Sequence, residues 1–141
     1  MRYRIVAVGR VKDAALRAAC DRYLERLRHY AQVEELEVKD EGRILGAIPE
    51  GSRLVALSRT GAAWTSRALA ERCARSEQEG RNVAFAIGGA EALPPDVLQG
   101  AEVVWRLSAL TLPHEIARLV VLEQLYRAHT ILRGEPYHRG P

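Results

Sequence analysis

The chain has 141 residues, enough for one compact domain with an apolar interior, and it carries no internal linker, repeat or low-complexity tract, so residues 1–141 read as a single domain. Hydrophobic residues at 48% and charged residues at 28% exclude a disordered chain, and no apolar run is long enough to span a bilayer. A net charge of +3 and a pI near 9.1 permit a nucleic-acid partner without requiring one.

The elements follow in chain order. The start, Met1-Arg2-Tyr3-Arg4-Ile5-Val6-Ala7-Val8-Gly9, has an apolar run too short for a signal-peptide core and no small-residue cleavage site. It predicts a strand over 4–8 and a cytoplasmic protein. Asp13 is placed to cap a helix over 13–29, in which Ala14, Leu16, Ala19, Cys20, Tyr23, Leu24 and Leu27 form one apolar stripe. A strand over 33–38 leads into a polar, glycine-bearing connection, 39–51. A third strand, 53–57, runs into Leu57-Ser58-Arg59-Thr60-Gly61, and a helix is expected over 65–79. The fourth strand, 83–87, ends in Ile87-Gly88-Gly89-Ala90-Glu91-Ala92-Leu93. A short helix over 94–99 and a strand over 103–107 complete the alternation before a last helix, 113–132. Strands alternating with helices predict an α/β fold with a mostly parallel sheet of five to six strands and helices on both faces. The last helix is apolar on more than one side, through residues such as Ile116, Leu119, Val120, Val121, Leu122, Leu125 and Tyr126. A domain this small has little interior for it, so a two-fold contact with a second copy is expected ahead of a wholly internal helix.

Several familiar sites are absent. There is no G-x-G-x-x-G, no P-loop and no G-x-S-x-G. In His114-Glu115-Ile116-Ala117-Arg118, Arg118 stands where a zinc site needs its second histidine, and a guanidinium does not ligate zinc. Cys20 and Cys73 are isolated, which predicts free buried thiols in a reducing compartment and no metal. Lys12 and Lys39 are the only lysines. The abundance of alanine makes codon usage the simpler reason for that arginine bias overall, whereas in the C-terminal tail arginine reads as a phosphate-binding fork.

Leu107-Ser108-Ala109-Leu110-Thr111-Leu112-Pro113-His114 is the most unusual stretch. An ordinary loop is polar and rich in Gly, Asn and Asp. Leucine, alanine and hydroxyls here predict a buried backbone, whose N–H and C=O groups need partners that a bound small molecule can supply. The Gly88-Gly89 turn permits close approach of a ligand, and the third strand also ends in unusual sequence. Three such strand ends converging on one crevice suit a flat heterocycle such as adenine. After Gly134 and Pro136 end the last helix, Tyr137, His138 and Arg139 set a stacking ring, a group titrating near neutrality and a permanent cation side by side, which suits a nucleobase next to phosphate. A frayed polar terminus explains that trio equally well.

Together these segments resemble the family of ribosomal RNA large subunit methyltransferase H, in the SPOUT superfamily. The likeness runs from Arg4-Ile5-Val6-Ala7-Val8-Gly9 to the final residues. It rests on Ile87-Gly88-Gly89 with Glu91, on the 107–114 stretch, on Leu125-Tyr126-Arg127-Ala128 and on Pro136-Tyr137-His138-Arg139. The resemblance implies a C-terminal trefoil knot, a topology that connection rules alone would discard. It also implies a homodimer and an enzyme that uses S-adenosyl-L-methionine to methylate N3 of a pseudouridine in 23S rRNA on the assembled ribosome. Carried over residue by residue, it implies cofactor contacts at Leu57, Gly88, Leu107, Ser108, Ala109, Leu110, Thr111 and Leu112. It places target binding and catalysis at Tyr137, His138 and Arg139, with no metal and no membrane. Ala90 and Ala92 depart from the family's usual Pro and Gly. The connection 39–51 is short where relatives insert a longer basic segment, which bears on ribosome docking more than on cofactor binding. The alternatives are a non-catalytic knotted module that binds RNA or ribosome, and an unrelated α/β enzyme for another adenine-bearing ligand.

Overall fold

Two side chains start helices as their positions demand. The Asp13 carboxylate accepts the Leu16 N–H at 3.0 Å, and the Thr65 hydroxyl accepts the Ala68 N–H at 3.1 Å. The computed structural model describes residues Met1–Pro141, running β1 (Arg2–Val8), α1 (Ala14–Leu27), β2 (Gln32–Val38), β3 (Arg53–Ala63), α2 (Ser66–Glu79), β4 (Val83–Ile87), α3 (Pro95–Gly100), β5 (Val103–Arg106) and α4 (His114–Leu132). The five strands form one all-parallel sheet in the order β2-β1-β4-β3-β5, with no sixth strand. All five residues of β4 are buried, as a strand with neighbours on both edges and layers on both faces requires.

Alternation along the strands divides the interior in two. Tyr3, Ile5, Val55, Phe85 and Trp105 face α1, α4 and α2, where Leu24, Leu27, Leu69, Val121, Leu122 and Leu125 close the larger core. Val6, Leu54, Ala56 and Ala86 face the other way, toward Leu93 and Val97. Helices therefore cover both faces as expected, but unequally: α3 is the only helix longer than one turn on the second face. The connection 39–51 does more than its polarity suggests. It forms two single 3-10 turns, Glu41–Arg43 and Leu45–Ala47, and inserts Ile44, wholly buried, into the second core. Ala47 and Ile48 pack beside it, while Leu45 and most of the polar residues turn outward.

Helix α4 lies between α1 and α2. Arg118 is buried beneath it and donates to Glu35, to Glu37 and, at 2.7 Å, to the Gly9 carbonyl, fixing the first turns of α4 to the ends of β1 and β2. Farther along, His129 Nε2 lies 2.7 Å from Tyr3 Oη, and the His129 ring stacks on Tyr30. Burial holds the His129 pKa below its ordinary value. Ile116, Leu119, Val120 and Tyr126 remain only half-buried in the single chain. Both cysteines are free and buried, and burial pushes the Cys73 thiol up to about 11.

Strand β3 runs six residues past the expected end at Leu57. Leu57 and Ala62 both pair with Trp105, so the chain between them bulges outward. Gly61 closes the bulge: a Cβ there would sit 2.5 Å from the Val104 carbonyl carbon and oxygen. The two tryptophans meet at this point, with Trp64 stacked on Trp105 at 4.7 Å and the Arg72 guanidinium 4.2 Å above Trp64.

Candidate active site

The ends of β3, β4 and β5 and the first turn of α4 enclose a cleft of about 480 Å³. Each wall is set by a local constraint. The bulge after Leu57 brings Ser58, Arg59 and Thr60 to one side. Gly88 forms the floor, where an added Cβ would lie 2.9 Å from the Glu91 carbonyl oxygen. Leu107, Ser108, Leu110, Thr111 and Leu112 form the third wall, with His114 and Ala117 of α4 behind them. Seven of the eight residues expected at a cofactor site thus line one crevice: Leu57, Gly88, Leu107, Ser108, Leu110, Thr111 and Leu112. Ala109 does not line it and points to solvent.

One expectation about this stretch is corrected. Its backbone is not buried in the single chain: Ala109, Leu110 and Thr111 are exposed, Leu110 by 74%. Part of its hydrogen bonding is met locally, because the Ser108 hydroxyl accepts the Leu110 N–H at 2.9 Å. The leucines therefore present an uncovered apolar rim rather than an interior.

The tail is built differently. Tyr137 Oη donates to Glu123 Oε2 at 2.7 Å, its ring meets Tyr126 edge-on at 4.7 Å, and the Arg127 guanidinium lies 4.7 Å over that ring. Burial and the hydrogen bonds to Tyr23 and Glu123 raise the Tyr137 pKa, so its hydroxyl stays a donor. Glu123 also pairs with Arg127 at 2.7 Å, one turn along α4. Arg127 Nη1 lies 3.1 Å from His138 Nδ1. A guanidinium only donates, so Nδ1 accepts and the ring proton sits on Nε2, which is buried without a partner. Arg139 is exposed and unpaired. None of Tyr137, His138 and Arg139 lines the cleft. The structure therefore gathers the cofactor candidates in one place and the catalytic candidates in another.

Sequence reasoning did not single out Arg59, Arg106 or Trp105 in the cleft, nor Glu123 and Arg127 beneath the tail. A period-two reading of β5 carried a signal for Arg106, since Trp105 faces the larger core and its neighbour must face the other side. No three His, Cys, Asp or Glu side chains converge to hold a metal ion, and no helix is long and apolar enough to cross a membrane.

A parallel α/β sheet with a nucleotide-sized cleft at three strand ends, and a tail folded back farther along the last helix, is the layout of a SPOUT-type methyltransferase. A family model described as "Predicted SPOUT methyltransferase" matches residues 1–138. Proteins named ribosomal RNA large subunit methyltransferase H are similar over almost their whole length. The one from Sorangium cellulosum is 49% identical over 97% of this chain and 99% of its own, and that from an Anaeromyxobacter species is 43% identical over 99% and 100%. The chain belongs to this SPOUT family of ribosomal RNA large subunit methyltransferase H. Among solved structures, a probable methylase family protein from Haemophilus influenzae shares the fold with a TM-score of 0.64 at 12% identity, over 98% of this chain and 70% of its own. An AdoMet-bound rRNA methyltransferase from Sinorhizobium meliloti gives 0.52 at 17% identity, over 92% of this chain and 57% of its own.

Proposed function

We propose that this protein is an S-adenosyl-L-methionine-dependent methyltransferase that methylates N3 of a pseudouridine in 23S rRNA on the assembled ribosome, in the cytoplasm. The observation that carries the reading is the cleft. Its volume falls within the roughly 300–1,000 Å³ of small-molecule sites. Gly88 lines it in a turn so tight that an added Cβ would lie 2.9 Å from the Glu91 carbonyl oxygen, and Arg106 contributes a buried Nε that lacks any protein acceptor. These features fit S-adenosyl-L-methionine, with Leu57, Gly88, Leu107, Ser108, Leu110, Thr111 and Leu112 around its nucleoside. The curated relatives carry the rRNA assignment in their names.

When bound, the cofactor supplies a methyl group on a positively charged sulfur, open to displacement by a nitrogen nucleophile. The chain's own part is to bind, orient and stabilise charge. The imide N3 of the target gives its proton to solvent water and takes the methyl group, with S-adenosylhomocysteine as the other product, and the charge that develops on the way spreads onto the flanking carbonyl oxygens. With Nδ1 held by Arg127, His138 offers Nε2–H as a donor to such an oxygen and is not itself the base. Arg139 supplies a second positive group, for that anion or for a neighbouring phosphate, and Tyr137 positions or stacks on the base.

The tail and the cleft belong to different copies in this reading. The protein acts as a homodimer in which the half-buried apolar surface of α4, including Ile116, Leu119 and Val120, meets its symmetry mate and brings one tail to the other cleft. The C-terminal part passes through a trefoil knot. Membership of the SPOUT methyltransferase family supports that path.

The test is incubation with S-adenosyl-L-methionine carrying a labelled methyl group and with ribosomes lacking the modification, followed by nucleoside analysis. Label on N3 of a pseudouridine is the expected result. Cofactor binding with no label would favour the non-catalytic RNA-binding module, for which the shortened connection 39–51 is the one argument.

A further inference from the structure

The arginines of this chain are treated unequally. Arg53, Arg81, Arg118 and Arg127 each hold a carboxylate within 3.2 Å. Arg106 and Arg59, both lining the cleft, hold none. Four buried side-chain nitrogens lack any partner: Nε of Arg106, Nε of Arg118, Nδ1 of His129 and Nε2 of His138. Only Arg106 among those residues lines the cleft. Arg59, at the rim, makes a single 3.5 Å contact with the hydroxyl of Thr111. The one carboxylate in the lining, Glu91, pairs with neither arginine. Half-buried Arg26 and Arg72 lie over aromatic rings instead, whereas half-buried Arg106 has neither an acid nor a ring, and it shares the cleft with Arg59 and Glu91 at its exposed rim.

We infer that Arg106, assisted by Arg59, binds the α-carboxylate of the cofactor's amino-acid portion, and that Glu91 receives its α-ammonium group. This deepens the cofactor reading given above and rests on it. A zwitterionic amino acid needs a cation and an anion in one pocket, and that is the charge set present. A guanidinium binds a carboxylate through two parallel N–H donors, and this one loses little by reorganising because no protein acceptor competes for it. Arg106 lines the cleft and its Nε is buried without an acceptor, which sets it within reach of the cofactor and favours the cofactor's carboxylate over a backbone phosphate. Arg106 and Arg59 are positioning residues: they fix the cofactor's tail, and through it the reactive methyl, against the leucine rim.

The test compares two ligands by calorimetric titration of the full-length protein. S-adenosylhomocysteine carries the amino-acid portion, and methylthioadenosine keeps the nucleoside and thioether without it. In the unaltered protein both bind. Arg106→Met is expected to weaken S-adenosylhomocysteine by roughly tenfold to a hundredfold while leaving methylthioadenosine unchanged, with Arg106→Lys intermediate. Glu91→Gln is expected to act in the same selective sense with a smaller loss. Equal loss of both ligands would overturn the inference, because the arginine would then shape the cleft rather than read the carboxylate. Loss of neither, with a raised KM for ribosomes and a shallower salt dependence, would assign the anion to RNA phosphate and overturn it as well. Failure of the unaltered protein to bind either nucleoside would overturn the cofactor reading itself, an outcome distinct from the other two.

Discussion

The cleft and the tail carry the two halves of one proposed reaction, yet the chain builds them by opposite means. The cleft comes from sheet topology. Parallel strands end at one edge of the sheet, and their loops meet there whatever else the molecule does. It is open, with Leu110 uncovered and the Arg106 donors unsatisfied. The tail comes from side-chain contacts: Glu123, Arg127 and Tyr126 hold Tyr137 and His138 against α4, and little else fixes them. A site made by topology tolerates change in any one wall. A site made by a few contacts does not, and the homodimer proposed above is what would unite the two.

The largest test of that contrast removes 137–141. Turnover is expected to fall by about a hundredfold or more, with cofactor affinity nearly unchanged in titration. Equal loss of both would place the tail in the cofactor site and end the comparison. The reciprocal change, Gly88→Val, puts branched carbon where even a Cβ lies 2.9 Å from a backbone oxygen, and roughly tenfold or greater loss of cofactor affinity is expected. Mixing those two proteins, at a cofactor concentration too low to fill the Gly88→Val cleft, sharpens the point. If cleft and tail come from different subunits, statistical mixing restores about a quarter of normal turnover, since half the dimers are mixed and each has one complete site. No recovery would mean that each subunit is self-sufficient.

Smaller effects probe the contacts themselves. Glu123→Gln removes the charge that holds both Arg127 and Tyr137 and is expected to lower kcat by about tenfold at unchanged cofactor affinity. A proportionate rise in the cofactor's Kd would instead tie Glu123 to the cleft. The smallest expected effect is a pH dependence away from both regions. Burial lowers the His129 pKa in the fold, while the unfolded chain takes up a proton near about pH 6.5. The unfolded state then binds more protons as pH falls below that value. Stability conferred by neutral His129 is therefore complete above about 6.5 and declines through the lowered folded value. Tm is expected to drop between pH 7.5 and pH 5.5, and His129→Phe should reduce the drop.

Most of the architecture was legible because it depends on periodicity and caps. Asp13 and Thr65 begin their helices as read, and β4 is buried throughout as its unbroken apolar run requires. The cleft was legible in outline because three strand ends looked unlike ordinary turns. Burial of Ile44 was not legible, since Ile44, Leu45, Ala47 and Ile48 sit in or at the ends of single 3-10 turns too short for a period to show which of them points inward. The exposure of Leu110 was not legible either, because an apolar side chain in a loop carries no period that tells a rim from an interior. The extension of β3 depends on Gly61 lying against β5, a contact between residues distant in sequence. Glu123 was not legible as a tail contact, and Arg127 stood only within the Leu125–Ala128 motif, because the returning tail that gives both their meaning is a tertiary contact.

The paired tryptophans give the molecule an optical property. Trp64 and Trp105 are its only indoles, they stack on each other, and Trp105 forms part of the cleft wall. Ultraviolet emission excited at the indole band thus originates entirely from one spot beside the cleft. Filling the cleft should alter the colour and intensity of that emission, so occupancy can be followed in real time without a dye, a label or an added chromophore.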